Sequence, residues 1–439
     1  MKNSLILTLT ALSLSAAAFA QSPANPAETA YLNSGFIRIG EFQSVSRNNV
    51  GAASFLFPKD GKLVTGLHSS ISADDFLEGL PDVSSVYNQY NYNLFSYGWK
   101  GSGPGIHTLE LGAKADYGLT VPDDIFRILK TGTSQSPYDL ASLRAFGNLY
   151  GELAYGYSVK LGERFSLGTR IKLLVGLNSV DISARHLSLT TAIDRYSIDF
   201  DTDIDLTSRS KKVGIDEDGL LDYADFTGKG KLGAPTGAGL AADFGVLWKP
   251  FRGLTLSASV QDLGFLCWYY GNAGNSSGVY SFEGLKNLTL DELDGEKIKQ
   301  KALNLGKEVL AVIRPRAAEG VFKVKSVPLT ATASANYALP FWEGLSIGAS
   351  GLYTGHSYCA PYWEARGGIA LDFPDRFHIG ATAGSGAYGF VYGVNGSVDI
   401  LSFRLYAGYE NGIGGTIPYS GTHLKANSNR LLVGLVYLL

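Results

Sequence analysis

The stretch that decides the fold is His107–Gly118, HTLELGAKADYG. His107, Leu109, Leu111, Ala113, Ala115 and Tyr117 alternate with Thr108, Glu110, Gly112, Lys114, Asp116 and Gly118. Side chains on a strand point to opposite faces with period two, so one face is apolar and ends in an aromatic. The other face mixes both signs of charge with small residues. In a soluble sandwich the apolar face would meet a second sheet; in an outer-membrane barrel it meets lipid while the polar face lines the lumen. A single strand does not choose between these, but recurrence does.

The pattern recurs along the chain. Gly151–Lys160, Ser166–Gly176, Gly239–Trp248, Gly253–Gln261, Leu329–Tyr337, Leu345–Tyr353, Trp363–Asp372 and Ser402–Glu410 all alternate. Each is about ten residues long, enough when tilted to cross the ~25 Å apolar band of an outer membrane. The apolar faces are almost free of charge. Their aromatics, Trp99, Trp248, Trp363, Tyr337, Tyr353 and Tyr437, gather near strand ends, as interfacial girdles do. Short connections such as Leu161–Arg164 and Lys249–Gly253 alternate with long ones at Leu119–Arg144, Leu177–Pro235, Asn272–Lys325 and Asn411–Asn429. The pattern predicts an all-β, transmembrane antiparallel β-barrel of about 14 strands, within a range of roughly 12–16, with small helices in the extracellular loops.

The ends and the composition agree. Lys2, the apolar run Leu5–Leu14 and Ala18-Phe19-Ala20 read as a signal peptide over residues 1–20, cleaved before Gln21. Residues 21–34 are expected as an N-terminal extension and 35–439 as the barrel, in the outer membrane of a Gram-negative bacterium. No later segment reaches the ~18 uninterrupted apolar residues of a membrane helix. The chain has 54 Gly among 439 residues, well above the usual ~7%, as suits close strand approach. A net charge of −3 without a basic stripe excludes a nucleic-acid partner.

Chemistry-bearing constellations are sparse. No nucleophile elbow, zinc-helix or phosphate-loop motif occurs in a supporting context, and a Ser350/His378 pairing carries little weight in a polar lumen. We expect no catalytic site, no cofactor and no resident metal. Asp199, Asp201, Asp203 and Asp205 form an acidic ridge with enough oxygens for calcium, but lack the spacing of a known calcium loop; a solvated loop is favoured. Glu110, Lys114, Asp116, Arg170, Lys172, Asp243, Glu364, Arg366 and Arg404 are the candidate lumen-lining residues. Cys267 and Cys359 both fall on the outer side and form a candidate disulfide. Helices are expected at Pro122–Gly132 and Leu290–Leu310.

Several segments, KDGKLVTGL (Lys59–Leu67), DDFLEGL (Asp74–Leu80), LFSYGWK (Leu94–Lys100), LTVPDDIFRILKTG (Leu119–Gly132), GTRIKLLVGLNSV (Gly168–Val180), SVQDLGFLCW (Ser259–Trp268) and SFEGLKNL (Ser281–Leu288), resemble an uncharacterised family of Bacteroidota outer-membrane barrels. That family is similar in architecture to FadL hydrophobic-compound channels and PorV-type secretion accessories. The resemblance implies contact with outer-membrane lipid and a passive channel or carrier for small hydrophobic or amphipathic compounds. The alternative is a non-transporting barrel acting as a secretion or surface-assembly accessory.

Overall fold

The computed structural model describes residues 25–439 except 33, 52–53, 133–136, 192–195, 207–213, 216–220, 223–233, 271, 283–315, 319–320, 343, 356–359, 374–376 and 415–425. Fourteen antiparallel strands form its wall: β1 (Phe36–Asn48), β2 (Val83–Lys100), β3 (Ile106–Pro122), β4 (Arg144–Leu161), β5 (Phe165–Thr191), β6 (Gly237–Trp248), β7 (Leu254–Tyr270), β8 (Leu329–Ala338), β9 (Leu345–Gly355), β10 (Tyr362–Phe373), β11 (Phe377–Gly386), β12 (Gly389–Ile400), β13 (Phe403–Gly414) and β14 (Ala426–Leu438). Each pairs with the next, and β1 pairs with β14 as well as β2, from Phe36↔Leu438 to Asn48↔Asn427. The sheet therefore closes and leaves no edge, the condition for placing strands in hydrocarbon. No described helix is long and apolar enough to cross a membrane.

The period-two pattern sorts the two faces. Ile171, Phe244, Ile369, Ile379 and Val394 each expose half or more of their surface outward. Thr108, Asp116, Lys172, Asp243 and Glu364 are buried on the opposite face. Aromatic pairs edge the outward belt at the short-turn end, including Tyr97–Trp99 at 5.4 Å, Phe373–Phe377 at 4.4 Å and Phe403–Tyr437 at 4.9 Å. Tyr353 and Trp363, register partners on β9 and β10, stand outward at the other end. Short turns mark the periplasmic side in such barrels.

Two expectations for the connections change. The presumed loop Leu177–Pro235 begins as strand, because β5 runs on to Thr191 and pairs with the strand Tyr196–Leu206. That strand pairs in turn with Asn272–Phe282, inside the presumed loop Asn272–Lys325. The backbone ladder of the wall thus continues into both presumed loops. The helix expected at Pro122–Gly132 is present as Asp123–Thr131, with Pro122 before it and Gly132 at φ 72° ending it. Together with the helix Ala73–Leu77 it holds Phe76, which is 1% exposed, against Phe55, Phe57 and Phe126. The second helix, Leu290–Leu310, and the signal peptide lie outside the described residues.

Ahead of β1, residues Pro26–Tyr31 form a single 3-10 turn inside the barrel at its short-turn end. The Asn25 side chain donates to the Val246 and Ala258 carbonyls, and the Ser166 hydroxyl donates to the Ala27 carbonyl. A Cβ on Gly245 would stand 1.9 Å from Asn25 Oδ1, and one on Gly168 2.3 Å from the Pro26 backbone. Glycine at these two wall positions is what lets the segment lie against the strands.

The facing of the strands makes a depth-dependent test available. Ile171→Arg, six residues into β5 on the lipid face, should cost about 2–4 kcal/mol, while Leu401→Arg in the exposed β12–β13 turn should cost roughly 0–1 kcal/mol. Urea titration of the barrel folded into liposomes measures both.

Candidate functional site

The interior is filled with ion pairs, and one irregularity organises them. Between β6 and β7 the register slips, with Ala242 opposite Leu263 but Phe244 opposite Val260. The extra residue on β7 is accommodated with Asp262 at φ 58°. A bulge of this kind re-aims a side chain, and aspartate tolerates the left-handed region better than most residues. Gln261 and Asp262 consequently both point inward, although they are adjacent in sequence. On the other flank of β7 the ladder is also broken. Residues Phe265–Tyr270 pair with the strand Val321–Ser326, Leu254–Gln261 pair with β8, and Val327 and Pro328 lie between.

Asp262 is the hub of the first charged group. It receives Lys114 Nζ and Lys172 Nζ, both at 2.7 Å, and donates its own backbone N–H to Asp243 Oδ1 at 2.9 Å. Lys114 also reaches Glu152 at 2.9 Å, and Lys172 reaches Asp243 at 2.8 Å. Arg170 joins Asp243 to Glu110, at 3.4 and 3.2 Å. Arg38 and Glu41 pair at 3.6 Å on β1. They share a face because a second bulge, with Gly40 at φ 70°, interrupts alternation there. Asp116, one strand position beyond Lys114 on the same face, accepts a hydrogen bond from Asn148 at 3.0 Å.

The second charged group spans β10, β13 and β14. Glu364 receives Arg366 at 2.8 Å, Arg430 at 3.4 Å and the Tyr362 hydroxyl at 2.8 Å. Glu410 pairs with Arg366 and, at 3.0 Å, with Arg430. Between the two groups lies a polar cavity of about 120 Å³. Of the nine sequence candidates, eight sit in these interior groups or beside them. Arg404 does not: it pairs with Asp399 at 2.6 Å near the β12–β13 turn. Sequence reasoning missed Asp262, Arg38 and Arg47, and the first two sit at bulges where strict alternation misassigns faces.

On the long-loop side of the first group the lining turns apolar. Tyr150, Leu174, Ala241, Leu266, Trp268, Tyr270 and Val327 form one buried cluster. Leu174 follows Lys172 by two residues and Tyr150 precedes Glu152 by two, so each neighbours a charged residue on the same inward face. A further charged trio, Asp181 with Arg144 and Lys325 at 2.8 Å each, stands beyond it. Lys325 Nζ lies 4.7 Å from the centre of the Tyr270 ring.

At the opposite end Tyr31 is held between two lysines, with Lys249 Nζ 3.7 Å and Lys160 Nζ 4.5 Å from its ring centre. Burial, and then the charge of Lys160, pushes Lys249 down to about 8.

Of the acidic ridge, the side chains of Asp203 and Asp205 lie outside those described. Asp199 pairs with His186 at 3.3 Å and Asp201 with Arg185 at 2.8 Å, both exposed. Among the described residues no group of three or more His, Cys, Asp or Glu side chains could hold a metal. His378 is bound to Asp372 at 2.7 Å and to Asn395 at 3.3 Å. Cys267 is half-buried on β7, and Cys359 lies outside the described residues.

Two outcomes follow. Asp262→Asn keeps a residue suited to the bulge but leaves two buried lysines short of a carboxylate, so unfolding in urea should show a loss of about 3–5 kcal/mol. For Lys249 the folded protein binds fewer protons than the unfolded chain between about 8 and the ordinary lysine value near ~10.4. Stability is therefore lowest below that window and rises as pH climbs through it. Lys249→Met should raise the thermal midpoint at pH 7 and flatten its rise toward pH 10.

The model of one family, a family of unknown function (DUF5723), matches residues 25–409. No curated protein matches the chain. Among solved structures, a Pseudomonas aeruginosa FadL homologue is similar at 11% identity and a TM-score of 0.49, with 97% of each chain covered. The P. putida toluene transporter TodX is similar at 10% identity and 0.43, over 95% of this chain and 93% of that one. The translocator domain of the Neisseria meningitidis autotransporter NalP gives 9% and 0.37, over 100% and 98%.

Proposed function

The chain belongs to DUF5723, a family of unknown function, and we propose that it is a gated carrier for small amphipathic compounds in the outer membrane. The observation that carries this reading is the amphipathic lining of the interior. A buried apolar and aromatic cluster around Trp268 and Tyr270 adjoins the ion pairs of Asp262 on one side and those of Asp181 on the other. A compound with an apolar body and a polar end finds both kinds of surface within a few residues of each other. A wide aqueous pore has no use for such a cluster, and the interior here is filled with paired side chains.

The segment Asn25–Tyr31 is the gate in this reading. It lies against β4, β5 and β6 at the short-turn end, where any compound leaving the barrel would pass. Its attachment is local, a few hydrogen bonds, the Tyr31–lysine contacts and the packing of Ala27 and Tyr31 on Leu247, so release leaves the barrel's own ladder in place. Residues 25–31, which lie within the stretch read from sequence as an N-terminal extension, act here as part of the passage.

Uptake into proteoliposomes of a fluorescent alkyl-aromatic amphiphile tests the proposal. Gly245→Val places side-chain atoms where Asn25 sits and should raise the uptake rate several-fold, with folding verified by heat-modifiable gel mobility. Trp268→Ala should weaken saturation by the amphiphile without opening a path for a hydrophilic sugar of equal mass. Flux that matches empty liposomes in wild type and in Gly245→Val would overturn the carrier reading.

A further inference from the structure

Among the described arginines inside the barrel, Arg47 stands apart. It is 5% exposed and lines the 120 Å³ cavity, yet among the described residues no carboxylate lies within 4.0 Å of it. Its guanidinium lies over the Tyr362 ring, 4.1 Å from the centre, and one terminal nitrogen donates to the Thr354 hydroxyl at 3.2 Å. Its Nε has no hydrogen-bond partner. A buried cation in this state is costly, since neither charge nor donors are fully compensated. The surrounding group repeats the imbalance: Arg47, Arg366 and Arg430 face two carboxylates, Glu364 and Glu410.

We propose that Arg47 anchors an anion-binding site in the lumen and that its ligand is a small monocarboxylate. The guanidinium presents its donors as a planar fork that matches a carboxylate edge on. With one face of that plane taken by Tyr362, the edge is what a ligand can use. The cavity of about 120 Å³ has room for a small anion such as acetate or propionate. The cavity lining carries six cations (Arg38, Arg47, Lys114, Arg170, Lys172, Arg430) against four carboxylates (Glu41, Glu110, Glu152, Asp262). That balance attracts an anion, and the planar fork together with Val45 and Leu352 in the lining fits the flat carboxylate and short alkyl end of acetate or propionate better than a tetrahedral sulfate or phosphate. Gln43, Gln89 and Asn91 also line the cavity as a chain of amides, Gln89 donating to Asn91 at 3.4 Å and Asn91 to Gln43 at 2.9 Å. The site stands whether or not the barrel transports anything.

The test is the thermal midpoint of the folded, heat-modifiable form in detergent, with sodium acetate, propionate, chloride or sulfate at equal ionic strength. A ligand at a hundred times its Kd multiplies the folded-to-unfolded ratio about a hundredfold, so acetate and propionate should raise the wild-type midpoint well beyond chloride and sulfate. Arg47→Gln should abolish that difference. Thr354→Asp places a carboxylate beside Arg47 from within the chain; it should raise the midpoint without any added anion and remove the response to acetate. Should Arg47→Gln fail to fold, Thr354→Asp decides alone. An acetate response that survives in Thr354→Asp, or equal effects of all four salts on wild type, would overturn the proposal.

Discussion

The interior depends on one side chain placed against the grain of its strand. Asp262 occupies a left-handed bulge on β7, and from there its carboxylate holds Lys114 of β3 and Lys172 of β5 together. Its backbone N–H meanwhile fixes Asp243 on β6. Four strands are thus tied across the lumen through one residue. Buried charges of this kind are tolerable only when each has its partner in good geometry, which couples the bulge, both lysines and the flanking carboxylates into a single unit. The cost of a sparsely allowed backbone conformation, of order 1–3 kcal/mol, is offset by compensating two ammonium groups at once.

From that unit the rest of the interior follows in layers. Below it, toward the short turns, the Asn25–Tyr31 turn fits only because Gly168 and Gly245 lack a Cβ. Above it the same strands turn apolar within two residues, so charge and aromatic surface meet directly. Beside it the second group ties β10, β13 and β14, and the mismatch in charge between the two groups polarises the small cavity they share. The barrel is a wall of regular ladder around an irregular, densely paired filling.

The outward half of the molecule was legible because lipid imposes a rule on every second residue. Leu109, Ile171, Phe244 and Leu405 are apolar for one reason, and an uninterrupted alternation in Ile106–Pro122 exposes it. The inward half was legible only where alternation holds. Lys114, Lys172 and Asp243 were found from spacing, whereas Asp262 and the Arg38–Glu41 pair were not, because a bulge adds one residue and reverses the face of all that follow. Beyond the predicted wall the signal is uneven: Tyr196, Ile198, Phe200, Ile204 and Leu206 alternate with Asp199, Asp201, Asp203 and Asp205 and read as a strand-like run within a loop, whereas Asn272–Phe282 carries no hydrophobic period.

The sequence by itself determined the closed antiparallel barrel, the lipid-facing belt with its aromatic ends, the helix after Pro122 and the family to which the chain belongs. These rest on local chemistry, since period, turn residues and caps are read within a dozen positions. Only the tertiary structure decided which charges meet. Asp262 is 148 residues from Lys114 and 90 from Lys172, and Asn25 is 221 from Val246. Such partners are chosen by strand register, bulges and the closure of the sheet. A local pattern carries no information about those, because each depends on how many residues every preceding strand and turn has used.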